Sequence, residues 1–171
     1  MTSTWPESVD RVAAFLQESG AEARLEEHAG KAATAQEAAE TIGCELHQIV
    51  KSLVFVCAGV PLVVLVPGDR RADTAKIARA ANATEARVAR AEEVQAATGF
   101  APGSVAPFPG SSTRVLVEQT LLTEPLVWVG GGSPRHMVAL SPTELVRLAR
   151  GELMDVVEEP AYHSSPETAQ D

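Results

Sequence analysis

Lys51-Ser52-Leu53-Val54-Phe55-Val56-Cys57, then Ala58-Gly59-Val60, then Pro61-Leu62-Val63-Val64-Leu65-Val66: this stretch decides the fold class. Two β-rich runs, 51–57 and 61–66, flank a short glycine-containing break, which is the pattern of a hairpin. Pro67-Gly68-Asp69 ends the second run. On an alternating strand Lys51, Leu53, Phe55 and Cys57 share one face, which sets an ammonium beside apolar side chains. A strand-end lysine that snorkels to water accounts for this pattern without any function. Held in a pocket instead, the ammonium can bind an anion or polarise a carbonyl oxygen.

Working outward, helices and strands intersperse. Upstream, Val9, Val12, Phe15 and Leu16 share a face of a helix over 8–19, with Gly20 as its stop. A short strand is expected over 23–28. Thr34-x-x-Glu37 forms a capping box for a helix over 35–42, which Gly43 closes. Downstream, Asp73 caps a helix over 74–81, followed by a short strand at 86–89 and a helix over 91–97 stopped by Gly99. Residues 100–113, rich in Gly, Pro and Ser, read as a long loop. Strands return at 114–118 and 126–129, Gly130-Gly131-Gly132 reads as a break, and 136–140 is a further strand. Ser141-Pro142-x-Glu144 is a second capping box with Pro at the first helical position, for a helix to 149 that Gly151 stops. An edge strand over 153–157 comes last. Hairpins with interspersed helices indicate a mixed α/β (α+β) fold rather than a doubly wound sheet.

The chain has 171 residues, enough for one ordinary domain with a real core. Residues 1–157 form that domain, and 158–171 read as an acidic, disordered tail. Aromatics are only 4%, so the core must be aliphatic. No run of about 18 apolar residues exists, and the first residues lack the basic and apolar parts of a secretory signal. Cys44 and Cys57 are too few for a disulfide framework and read as core thiols. A cytoplasmic setting is expected.

The net charge of −9 argues against nucleic-acid binding, but the distribution weakens that objection. Residues 151–171 hold six acids and no Lys or Arg; the rest of the chain has 17 acids against 14 bases. Residues 70–90 hold six bases against two acids, so Arg70, Arg71, Lys76 and Arg79 are candidate phosphate contacts. A solvated helix face explains the same charges.

Familiar chemical motifs are missing. There is no phosphate-binding G-x-x-x-x-G-K-[ST], no G-x-G-x-x-G after a strand and no G-x-S-x-G elbow. His28, His47, His136 and His163 are scattered without metal-ligand spacing, so neither a metal nor a cofactor is expected. What stands out besides Lys51 is the loop over 97–110. Gly99, Gly103 and Gly110 permit close backbone approach, while Pro102, Pro107 and Pro109 stiffen its path. Such a loop can present preorganised amides and carbonyls to a ligand, or simply join two parts of a sheet.

Thr34-Ala35-x-Glu37-Ala38-Ala39, Ile49-Val50-Lys51-Ser52-Leu53-Val54-Phe55, Thr98-Gly99-Phe100-x-x-Gly103-x-x-x-Pro107-Phe108 and Val127-Trp128-Val129-x-Gly131-Gly132, in that order, resemble the YbaK family. That family includes the editing domain of bacterial prolyl-tRNA synthetases and its free-standing relatives. The resemblance runs from about residue 23 to 157. It implies a single-domain, mostly antiparallel mixed sheet with flanking helices, and metal-independent aminoacyl-tRNA deacylase activity. It carries Lys51 over as the site lysine, and Gly103 and Pro107 as the ends of the Gly-x-x-x-Pro loop. Phe100, Ser104, Val105, Ala106, Gly131, Gly132 and His136 are expected to bind substrate with Leu53. With no synthetase body in these residues, a trans-acting enzyme, or a relative that has lost the activity, is implied. The third motif departs from the pattern: Gly131-Gly132-Ser133-Pro134-Arg135-His136-Met137 has no Lys or acid where some members carry them.

The expected reaction is hydrolysis of the ester between a small amino acid and tRNA, possible substrates including tRNA-Pro. Residues 103–107 would hold the ester and the attacking water, and Lys51 would bind the terminal ribose-phosphate or the carbonyl region. His136 is a candidate base, but a satisfied strand histidine is the favoured reading. A small aliphatic pocket of Leu53, Val64 and Val115 would exclude larger side chains. The alternative is a non-catalytic module that binds a nucleotide or aminoacyl ligand in the same cleft.

Overall fold

The computed structural model describes residues 3–108 and 113–160. Pro109, Gly110, His163 and the tail from 161 onward lie outside the described residues. The decisive hairpin is present: β2 (Val50–Cys57) and β3 (Val60–Pro67) pair antiparallel from Val50 opposite Pro67 to Cys57 opposite Val60. The turn is tighter than the sequence suggested, because Val60 belongs to the strand. Ala58 and Gly59 both have positive φ, 50° and 77°, as a two-residue hairpin loop of matching twist requires.

The helices follow their caps. These are α1 (Glu7–Glu18), α2 (Ala35–Ile42), α3 (Thr74–Ala80), α4 (Ala91–Thr98) and α5 (Pro142–Ala149). The Thr34 hydroxyl accepts from the Glu37 amide and the Glu37 carboxylate reaches the Ala33 amide. Ser141 caps α5 through the Glu144 amide, and Asp73 caps α3 through two amides.

The strands form two sheets. β1 (Ala23–Glu27), β7 (His136–Leu140) and β6 (Val127–Ser133) make an antiparallel sheet in the order β1-β7-β6. β4 (Ala86–Val88), β2, β3, β5 (Arg114–Glu118) and β8 (Glu152–Met154) make the second. Its β3–β5 and β5–β8 pairs are parallel and the others antiparallel. Mostly antiparallel pairing was expected; its division between two sheets was not.

The main core lies between the sheets. It joins Val50, Val54, Val63, Leu65 and Val117 to Val127, Val129, Val138 and Leu140, with Val12, Leu16 and Leu145 from helices. The other face of the large sheet buries Phe55, Leu62, Val64, Val66 and Leu116 under Ile77 of α3 and Val156 and Val157. The central hairpin is therefore apolar on both faces, and about 25 cal/mol per Å² of buried apolar surface makes it the strongest element of the core. Cys57 is buried there and Cys44 is half-buried near α2; burial raises the pKa of both thiols.

Two elements differ from the sequence reading. Gly130-Gly131-Gly132 is not a break: it continues β6, with a register shift against β7 between Gly130 and Ser133. The last strand is Glu152–Met154, and residues 155–158 run on as a strap over the turn before α3. There Val157 bridges Ala72, the Asp73 amide donates to the Val156 carbonyl and the Glu158 amide donates to the Arg71 carbonyl. Glu118, only 1% exposed, anchors the strap by accepting from the Val156 amide.

Candidate functional site

β2 pairs with β3 along its whole length but with β4 only at Phe55, Val56 and Cys57. Its first half thus has one unpaired edge. The Val54 carbonyl accepts from the Ala89 amide on the β4 side. Ser52, two residues earlier, presents its amide and carbonyl to the same side. A cavity of about 420 Å³ opens at this edge. Lys51, Ser52 and Leu53 line it from β2, Gly103 and Val105 from the loop, Ser133 from the end of β6, and Ala35, Ala38 and Met137 from the neighbouring elements. The volume falls in the range of small-molecule sites, about 300–1,000 Å³, and exceeds what an ion needs.

Lys51 is half-buried, and its Nζ donates to the Arg70 carbonyl at 2.6 Å. Burial lowers its pKa below the ordinary lysine value; Asp69 opposes this and Arg71 adds to it. Its only hydrogen bond among the described residues is to that neutral carbonyl, so its charge is open to an incoming anion or carbonyl oxygen.

The loop is built to a fixed shape. Gly99 ends α4 in the left-handed conformation, and the Arg11 guanidinium donates to its carbonyl while lying 4.9 Å over the Phe100 ring. Thr98 Oγ1 accepts from the Phe100 amide. Gly103, with φ of +81°, turns the chain, and the Ser104 amide closes that turn on the Ala101 carbonyl. Val105 then lies against β6: a Cβ on Gly130 would sit 2.4 Å from its carbonyl oxygen.

That contact explains the glycine triplet. A Cβ on Gly131 would fall 2.9 Å from the His136 carbonyl oxygen, and one on Gly132, where φ is +101°, 2.8 Å from the Ser8 carbonyl oxygen. Each glycine admits a different piece of backbone: the loop, β7 and α1.

The structure brings some expected site residues together and leaves others apart. Lys51, Leu53, Gly103 and Val105 share the cavity. Pro107 and Ser104 are buried without lining it, and Phe100 and Ala106 belong to the main core. Val64 and Val115 are not pocket walls; they lie in opposite cores, because alternation sends them to different faces of the large sheet. His136 is 3% exposed and reaches the cavity only through Ser133, whose Oγ lies 2.6 Å from Nδ1. Of the basic patch, Lys76 is held by Asp155 at 2.9 Å and by the Val157 carbonyl at 2.8 Å, and Arg70 donates to the Glu158 carbonyl. Arg71 and Arg79 are exposed.

Sequence reasoning missed Ser52 and Ser133 as site residues. The Ser52 hydroxyl is buried with no hydrogen-bond partner among the described residues and lines the cavity. Alternation could have found it, since it is a polar residue on the face of Val50 and Val54. Among the described residues no group of three or more His, Cys, Asp or Glu is arranged to hold a metal, and no helix is long and apolar enough to cross a membrane.

Comparison with known proteins agrees with this fold. Proline–tRNA ligase of Maridesulfovibrio salexigens is 32% identical over 100 residues, 58% of this chain, and the match spans only 17% of the ligase's length. The candidate Cys-tRNA(Pro)/Cys-tRNA(Cys) deacylase EbsC of Enterococcus faecalis is 25% identical, with 72% of this chain and 76% of that protein covered. A crystal structure of a candidate trans-editing enzyme for prolyl-tRNA synthetase superposes with a TM-score of 0.82 at 35% identity, covering 91% of this chain and all of that one. The aminoacyl-tRNA editing domain profile matches residues 29–148, and the chain belongs to that family.

Proposed function

We propose that this chain is a trans-acting, metal-independent hydrolase of the cytoplasm that removes a wrongly attached small amino acid from tRNA, with tRNA-Pro the first candidate carrier. The observation that carries this reading is the meeting of Lys51 with Gly103 and Val105 across one cavity. Family membership and the deacylase and trans-editing names of its relatives support it.

An aminoacyl ester is already activated, so the reaction needs a placed water and a stabilised oxyanion rather than a strong nucleophile. Water adds to the ester carbon, the bond to the ribose oxygen breaks, and that oxygen takes a proton to leave a free tRNA hydroxyl. The preorganised backbone at Gly103 and Val105, which lines the cavity, holds the ester and the water. Lys51, held by no ion pair among the described residues, draws the carbonyl oxygen or the terminal phosphate. The cavity wall of Ala35, Ala38, Leu53 and Met137 sets the size limit, and limited hydrophobic discrimination of roughly 1–3 kcal/mol per methylene explains why such a separate sieve is useful. Arg71 and Arg79 provide phosphate contacts for the tRNA body, since Lys76 is already paired.

The test is a panel of tRNAs mischarged with Ala, Ser, Cys and larger amino acids, following ester loss. At least one small aminoacyl-tRNA should lose its ester faster with wild-type protein than with Lys51→Ala. Saturable binding of every ester with no hydrolysis of any would replace this reading with a non-catalytic binding module.

A further inference from the structure

Ser133 has a hydroxyl whose hydrogen bonds are almost fully assigned by its surroundings. It is the last residue of β6 and lines the cavity. Its Oγ accepts from the Arg135 amide at 3.0 Å and lies 2.6 Å from His136 Nδ1. On the other side of the same ring, Nε2 stands 3.1 Å from Glu27 Oε2, close enough for electrostatic contact though off the line of an ideal hydrogen bond. The edge of Trp5 packs on the imidazole with centroids 5.2 Å apart, so the ring is held in place.

A carboxylate beside Nε2 favours the tautomer with its proton there, which leaves Nδ1 as an acceptor. The Ser133 hydrogen then goes to Nδ1. A hydroxyl has one hydrogen and two lone pairs. The hydrogen serves His136 and one lone pair serves Arg135. What remains for the cavity is a single lone pair, so Ser133 can accept from a ligand but cannot donate to it.

An aminoacyl ester differs from other acyl esters in carrying a strong donor, the α-amino group. Lys51, a cation from the other sheet, repels that group and attracts the carbonyl and phosphate oxygens. Resting on the deacylase reading above, we infer that Ser133 is a substrate-binding residue that accepts a hydrogen bond from the free α-amino group, and that His136 and Glu27 are positioning residues that keep its hydroxyl in the accepting state. The site thus distinguishes aminoacyl esters from esters without an amine, and it orients the ester carbonyl toward the loop.

The experiment compares alanyl-tRNA with propionyl-tRNA, which lacks only the amine, using wild type, Ser133→Ala, His136→Leu and His136→Asn. Wild type should prefer the alanyl ester. Ser133→Ala should reduce that preference roughly 10- to 100-fold, the range for losing a hydrogen bond to a charged group. His136→Leu should reduce it similarly, and His136→Asn, whose side-chain oxygen can replace Nδ1 as acceptor, should restore part of it. Circular dichroism confirms that each variant is folded. If Ser133→Ala slows both esters by the same factor, or neither, the assignment of Ser133 is overturned while the deacylase reading stands. If wild type hydrolyses no ester in the wider panel, both fall together.

Discussion

Lys51, which bonds the Arg70 carbonyl in the turn before α3, and Lys76, in α3 just after that turn, are treated by the structure in opposite ways. Lys76 reaches into the C-terminal strap, where Asp155, the Val157 carbonyl and Glu159 take up its charge. The hydrogen bond to Asp155 is the main reason its pKa rises. Lys51 enters a cavity, bonds one neutral carbonyl, and its pKa falls because it is desolvated. A lysine inside an ion-pair cluster has little attraction left for a ligand, and one desolvated outside any ion pair keeps more. Local charge density along the chain suggested a phosphate patch that included Lys76; the fold uses that lysine to hold its own C-terminal segment.

The largest effect should come from breaking the comparison directly. Lys51→Ala should slow ester hydrolysis about 10²- to 10³-fold, the usual result of removing one electrostatic stabiliser, with an unchanged thermal midpoint. Lys76→Ala should leave the rate essentially as it is. Equal losses in single-turnover assays would show that the difference between the two lysines is irrelevant to function.

Next comes the support beneath the cavity. Gly130→Val forces a side chain into the space of the Val105 carbonyl. It should cost about 1–3 kcal/mol in denaturant unfolding and lower the rate by displacing the loop. A variant with wild-type stability and rate would show that the loop does not depend on β6.

pH separates the two lysines with smaller effects. The ammonium is the working form of Lys51, so activity should fall as pH rises, and the fall should begin below pH 10.5 because its pKa is lowered. Lys76 should remain charged over that interval. An alkaline limb in kcat/KM that survives in Lys51→Arg at unchanged position would assign the titration to another group.

The smallest effect is at the acid end. Glu93 is held at about 2 by Arg87, and Glu144, Glu152 and Asp155 are also lowered by their cationic partners. Carboxylates with depressed folded-state pKa values stabilise the protein above their ordinary values, 4.5 for the glutamates and 3.8 for Asp155, and that contribution is lost as pH falls, for Glu93 toward about 2. Thermal midpoints should therefore decline gently below pH 4.5. A decline confined to higher pH would point to other groups.

Much of the fold was legible because local physics decides it. Thr34, Ser141 and Asp73 announce helix starts through side-chain oxygens that satisfy free amides, and all three do so. The hairpin was visible in two apolar runs around a tight turn. The glycine triplet misled because glycine signals either a turn or a close approach, and only a neighbour tells which. Here Val105 and Ser8, both distant in sequence, and His136 on the adjoining strand press on three successive glycines in a strand.

The sequence by itself determined the helices and most strand positions, because caps, alternation and turn residues act over a few positions; the pairing of Lys51 with the glycine–proline loop came from the family resemblance, not from local physics. Only the tertiary structure decided the two-sheet division, the strap that occupies Lys76, and the cavity's membership. It removed Val64 and Val115 and brought in Ser52 and Ser133. These depend on which strand edge is left unpaired and which charges find partners dozens of residues away, and no local rule encodes either.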